Sequence, residues 1–166
     1  MMVALTVLLG PLTGPQALAQ PSDGPLRAEL AAVAALAGEP RVVSAGGMTR
    51  NETPLLTLEN GSPFAQDTHR RVVLVGGLDG DAVSARLVLD LARWFKAAES
   101  GDERDAWAMS ALPLANPAGT VLSPPHRFPP VDGYFDAVER PETHYVWRWV
   151  TYQSPDLVVV VSAGSG

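Results

Sequence analysis

The run Arg71-Val72-Val73-Leu74-Val75-Gly76-Gly77-Leu78-Asp79-Gly80-Asp81-Ala82 constrains this chain more than any other stretch. A continuous aliphatic segment such as 71–75 is the pattern of a strand buried on both faces, which occurs in largely parallel sheets covered by helices. Two glycines then end the strand, and Asp81 stands where a helix cap belongs, ahead of an amphipathic helix over 83–97. In that helix Val83, Leu87, Leu91 and Phe95 recur four apart and are expected against the sheet, with Arg86, Asp90, Arg93 and Lys96 in water. Sheets built from such strand-turn-helix units bind ligands beyond the carboxyl ends of their strands.

The remaining chain supplies partners for this unit. Leu26, Leu30, Val33 and Ala37 share a helical face that Gly38 and Pro40 end, so 20–40 reads as a linker and a flanking helix or lid. Short β-type runs at 41–44 and 55–58, separated by Gly46-Gly47 and polar residues, read as an antiparallel pair with an irregular connection. A charged surface loop is expected over 99–105 and a strand over 107–114. The Pro- and Gly-rich stretch 119–135 reads as a long loop. Pro141 opens a helix at the favoured first-turn position, with Glu142 placed against the dipole and Tyr145, Val146, Trp149 and Val150 facing inward. Pro155-Asp156 leads into a last strand of four valines, 158–161. This order predicts a three-layer α/β sandwich with a mixed, largely parallel sheet over 41–166.

Composition removes several classes of function. Eighteen acidic against 12 basic side chains give a net charge of −6, and no Lys/Arg cluster exists to grip a phosphate backbone, so no nucleic-acid partner is expected. Cysteine is absent, which excludes disulfides and thiolate metal sites. Residues 1–19 carry an apolar run from Met2 to Leu9 and end in Ala17-Leu18-Ala19, a small-x-small pattern suited to signal-peptidase cleavage before Gln20, so an exported, periplasmic or secreted, product with no membrane contact after cleavage is expected. Gly76-Gly77-Leu78-Asp79-Gly80 occupies the place of a nucleotide-binding turn but lacks Gly-x-Gly-x-x-Gly and a P-loop lysine. Gly-x-Ser-x-Gly, the serine-hydrolase elbow, is also missing.

Three segments in order, Gly76-Gly77-Leu78-Asp79-Gly80-Asp81-Ala82, Asn116-Pro117-Ala118-Gly119 and Arg140-Pro141-Glu142-Thr143 followed by Pro155-Asp156-Leu157, together resemble the N-terminal half of the zinc carboxypeptidases. The first is similar to that family's Gly-Gly-x-His-Gly-x-Glu, and also to the turn of the related aspartoacylase and succinylglutamate desuccinylase group. The second is similar to its Asn-Pro-Asp-Gly. The third is similar to its Glu-Pro-Glu-Thr helix and Pro-Asp-Leu-x-x-x-x-His. The resemblance implies a carboxypeptidase-like fold and, in the family, zinc-dependent hydrolysis of C-terminal peptide bonds. It places Asp79, Ala82 and Ser162 at the three ligand positions. Of these only Asp79 offers a carboxylate, so the family's zinc is not expected in this chain. The alternative for Asp79 and Asp81 is turn hydrogen bonding and helix capping. The remaining histidines do not replace the lost ligands. His69 lies at the far end of the first strand, and His144 is expected on the solvent side of its helix.

Pro125-His126-Arg127-Phe128-Pro129 falls where the resemblance puts the family's Asn-Arg carboxylate clamp. Asn116, His126 and Arg127 are therefore the substrate-binding candidates, with a solvated loop arginine as the alternative for Arg127. Two functions follow as expectations. One is a catalytically degenerate carboxypeptidase-like chain that lacks the family's second half, with its general-base Glu and specificity pocket. The other is a non-catalytic exported module that binds a peptide or a glycan-linked peptide.

Overall fold

Leu30 and Val33 lie one turn apart on a helix, α1 (Gly24–Ala34), and both are withdrawn from solvent. The chain continues as β1 (Val42–Met48), β2 (Pro54–Glu59), β3 (Arg70–Val75), α2 (Ala82–Ala97), the short α3 (Asp102–Asp105), β4 (Trp107–Leu112), α4 (Pro141–Tyr152) and β5 (Leu157–Val160). The computed structural model describes residues 24–61, 69–98, 101–118 and 141–162. The expected signal segment 1–19, the expected loop 119–135, and with it His126 and Arg127, lie outside these residues.

The strands form one sheet in the order β1-β2-β4-β3-β5. β1 and β2 are an antiparallel hairpin, and β2 meets β4 antiparallel at Leu58 opposite Ala111. β3 then runs parallel to β4 from Arg70 opposite Trp107 to Val75 opposite Leu112, and parallel to β5 from Val72 opposite Leu157 to Val75 opposite Val160. The sheet is therefore mixed, with a parallel trio β4-β3-β5 and an antiparallel pair on one side. The trio puts three carboxyl ends side by side.

Alternation along the strands separates two cores. On one face Leu56, Leu58, Leu74, Met109 and Ala111 meet Leu30 and Val33 of α1 and Val88, Leu89 and Ala92 of α2. On the other, Leu55, Val73, Val75 and Leu112 meet Val146, Trp149 and Val150 of α4. The result is three layers, α1 and α2, the sheet, and α4. α1 is a flank within the first core rather than a lid.

Two readings of the sequence are corrected by packing. The sheet takes Ser84, Ala85, Val88, Leu89 and Ala92 of α2 and leaves Val83, Leu87 and Leu91 exposed, with Trp94 at 68%. Residues four apart advance by about 40° per step around a 3.6-residue helix, so a row of four winds away from any one side. Phe95 at its end reaches the core while Val83 at its start faces out. Lys96, expected in water, is only 6% exposed and its Nζ donates to the carbonyls of Ala34, at 3.1 Å, and Pro40. Gly46 and Gly47, expected between two strands, lie inside β1 at a bulge. A Cβ at Gly47 would sit 2.3 Å from Cβ of Tyr145, and one at Gly46 2.8 Å from Cδ1 of Trp149. These glycines let α4 approach the sheet, the usual reason for glycine within a strand.

Candidate functional site

β3 ends at Val75, and Gly76 follows because nothing larger fits there. A Cβ would lie 2.8 Å from both the Pro113 carbonyl oxygen and Cγ2 of Val88. Gly77 takes φ +58° and Gly80 φ +79°, left-handed values that glycine adopts without strain. The chain thereby reverses within a few residues and delivers Asp81 to the start of α2.

Asp81 is the N-cap. Its Oδ1 accepts from the backbone N–H of Val83 at 2.8 Å and of Ser84 at 2.9 Å, and the Ser84 hydroxyl donates to its Oδ2. These contacts, the Ser84 hydroxyl foremost, hold the Asp81 carboxyl below its ordinary pKa. Ser84 is fully buried, and its Oγ also accepts from Gly77 N–H at 2.9 Å, so one hydroxyl ties the turn to the helix. Sequence reading missed Ser84. Its position three residues after a capping Asp, where a capping box closes, was the available signal.

The same contacts limit what this turn can bind. A helix N-terminus attracts an external anion through free N–H groups. Here the Val83 and Ser84 donors are already taken by the chain's own carboxylate. Asp79, half-buried, accepts from Asp81 N–H at 3.3 Å, a turn hydrogen bond of the kind Asp makes. Ala82 is the exposed first residue of α2 and carries no donor atom.

The second strand end is fastened to the first. Ala115 N–H donates to the Gly76 carbonyl at 2.9 Å and Asn116 N–H to the Gly77 carbonyl at 2.8 Å. Asn116 is wholly buried beside the turn, placed to hold the β4 exit in register. At the third end Val161 N–H donates to the Val75 carbonyl at 2.8 Å, and Ser162 follows, exposed. Asp79, Asn116 and Ser162 thus follow three neighbouring parallel strands and share one end of the sheet, as the sequence pattern required. His144 is half-buried, its ring edge-on to Tyr145 at 5.8 Å, on the side of its helix away from the buried Val146, Trp149 and Val150. Among the described residues no group of three or more His, Asp or Glu side chains converges.

Two further polar anchors position the elements, one at this end of the sheet and one at the opposite end. Glu142, buried in the first turn of α4, accepts from Arg50 N–H at 3.0 Å, pinning the helix to the β1–β2 turn. Asp156 accepts from Arg71 N–H at 2.8 Å and donates its own N–H to the Arg71 carbonyl at 2.9 Å, which sets β5 against β3.

No family model matches the chain, and no curated protein matches it. Solved structures do match in fold, six chains in all. One is the crystal structure of a metallo-carboxypeptidase from Burkholderia cenocepacia, with a TM-score of 0.60 and 21% sequence identity, covering 84% of this chain and 40% of that one. The α/β sandwich described above is therefore a carboxypeptidase-like fold, spanning 40% of the length of the enzyme to which it is similar.

Proposed function

We propose that this chain is a catalytically degenerate, carboxypeptidase-like module that binds a peptide, or a glycan-linked peptide, at the carboxyl ends of β3, β4 and β5. The observation that carries the reading is the turn between β3 and α2. Of the three positions that the resemblance assigns to metal ligands, Ala82 has no donor atom and Ser162 has only a neutral hydroxyl. Asp79 spends carboxylate capacity on Asp81 N–H. This donor set does not fit a zinc ion, which takes three protein ligands from imidazole, carboxylate or thiolate even in its open catalytic sites. No hydrolytic step is derived through it. Segment 1–19, with its apolar run from Met2 to Leu9, supports an exported location for the module, since it has the pattern of a cleaved leader.

The carboxypeptidase-like fold itself favours a second reading, an active metallopeptidase. One preparation separates the two. After dialysis the purified chain is analysed for zinc and then offered peptides with a free C-terminal carboxylate, with binding followed by calorimetry and products by mass spectrometry. Binding without cleavage, and less than one zinc per chain, is the expected result. One tightly held zinc per chain together with release of the C-terminal residue would overturn the proposal.

A further inference from the structure

Val83, Leu87, Leu91 and Trp94 lie on the outer side of α2, with exposures from 39% at Leu91 to 68% at Trp94. A helix turns by about 100° per residue, so these four share an arc of about 80° and span about 16 Å of its length. The sheet takes the opposite side through Ala85, Val88, Leu89 and Ala92. α2 therefore has two apolar sides. The outer one presents roughly 400 Å² of apolar surface, the size at which a patch on a folded chain is often functional.

The spacing of the row makes it complementary to itself. A second α2 can lie antiparallel on the first, with a two-fold axis between the helices at the level of Val88 and Leu89. Val83 then stands level with Trp94 of the second copy, and Leu87 with its Leu91, each to within about 2 Å along the helix. A small side chain meets the large one and the leucines meet at the centre, the alternation that close packing between helices needs.

Two-fold symmetry also sets each flank of α2 against the same flank of the second copy. On the flank beside α1, Arg86 comes level with Asp90 of the second copy, and Asp90 with its Arg86. Both side chains are open to solvent, at 58% and 51%. Within the chain Arg86 turns Nε toward Asp90 at 3.4 Å and Nη1 toward Glu29 at 2.9 Å, while Asp90 receives both Arg86 and Arg93 on Oδ1. Nη2 of Arg86 and Oδ2 of Asp90 make no such contact with a described residue and are available across the axis.

From this self-complementarity we infer that α2 is a dimerisation surface, on which a second copy of this chain packs antiparallel through Val83, Leu87, Leu91 and Trp94, with Arg86 and Asp90 paired at the rim. Covering both rows removes roughly 800 Å² of apolar surface, which with the polar rim reaches the lower end of specific interfaces, about 1,200 Å². Each copy also carries a net charge of −6, a repulsion that salt screens beyond about 8 Å at physiological ionic strength. A weak dimer is the consequence. The surface lies on the outer side of the helix layer and does not depend on the peptide-binding reading.

The test is sedimentation equilibrium of the purified chain in about 0.15 M salt, where a monomer–dimer equilibrium with Kd of about 10–100 μM is expected. Trp94→Lys should weaken it at least about tenfold with thermal unfolding unchanged. Arg86→Asp and Asp90→Arg should each weaken it at least about fivefold alone, because each sets like charges across the axis. An equimolar mixture of these two variants should recover association close to that of the wild type, since the acidic pair of one copy then faces the basic pair of the other. Mixing cannot repair a folding defect, so recovery reports the contact itself. The inference is overturned if the chain stays monomeric up to about 500 μM, which would give the row to a different occupant, such as a further stretch of a longer chain. It is equally overturned if Trp94→Lys dimerises unchanged, or if the mixture associates no better than its components.

Discussion

Asp81 shows how one carboxylate settles the character of the turn. It takes the first donors of α2 and binds the Ser84 hydroxyl, so Asp81→Ala should lower stability by about 1 kcal/mol at pH 7, measured by urea unfolding. Its folded pKa is lowered, so the stabilisation is fully present above the unfolded value of about 3.9 and fades as pH falls through the folded value. The difference between wild type and Asp81→Ala should therefore narrow in acid. Lys96 has a dependence of the same sign in an alkaline window. Burial, opposed by the Glu39 carboxylate, pulls its pKa below 10.5. Between that lowered value and 10.5 the unfolded chain binds more protons, so stability should rise with pH across the window. Lys96→Met should lack that rise. It should also cost about 1–3 kcal/mol at pH 7, because the Ala34 and Pro40 carbonyls lose their donor. The cap at Asp81 was legible because capping is local in sequence. The burial of Lys96 was not, because its partners lie 62 and 56 residues away.

The elements themselves were largely readable. β3, β4 and β5, and the helices α2 and α4, begin or end within about two residues of the positions that periodicity and Pro, Gly and Asp signals indicate. Faces were harder, as α2 shows, because its two apolar stripes compete and only the sheet decides between them. β1 failed for a related reason. Gly46-Gly47 looks like a connection when read locally, and becomes part of a strand only once Tyr145 and Trp149 of α4 lie over it. That gives a sharp comparison. Gly47→Ala should destabilise by about 1–3 kcal/mol or more, since the new methyl meets the Tyr145 Cβ, which α4 cannot withdraw without shifting. Gly24→Ala, with nothing within 4 Å, should stay within about 0.5 kcal/mol. Thermal melts of both variants check the pair.

Across the whole molecule, Val83, Leu87, Leu91 and Trp94 form an exposed apolar row on α2, and Leu157 and Val160 are exposed on β5. Trp94→Lys should leave stability within about 0.5 kcal/mol while lowering any concentration-dependent self-association seen by light scattering. Val159 and Val161 are poor choices for the same purpose, because both pack against the first core. The site at the strand ends was legible as a place, since three sequence segments mapped onto three adjacent strands. What occupies it was not, because ligand chemistry depends on single residues that no periodicity encodes. β3 is bonded along both sides, whereas β5 is held by β3 alone among the described residues. Opening of the native state should be ordered accordingly. Amide exchange at Val159 and Val161 should report a local opening of lower free energy than exchange at Leu74 or Ser110, whose release requires unravelling the sheet's centre. In ordinary solution the last strand would then detach and return many times for each global unfolding event.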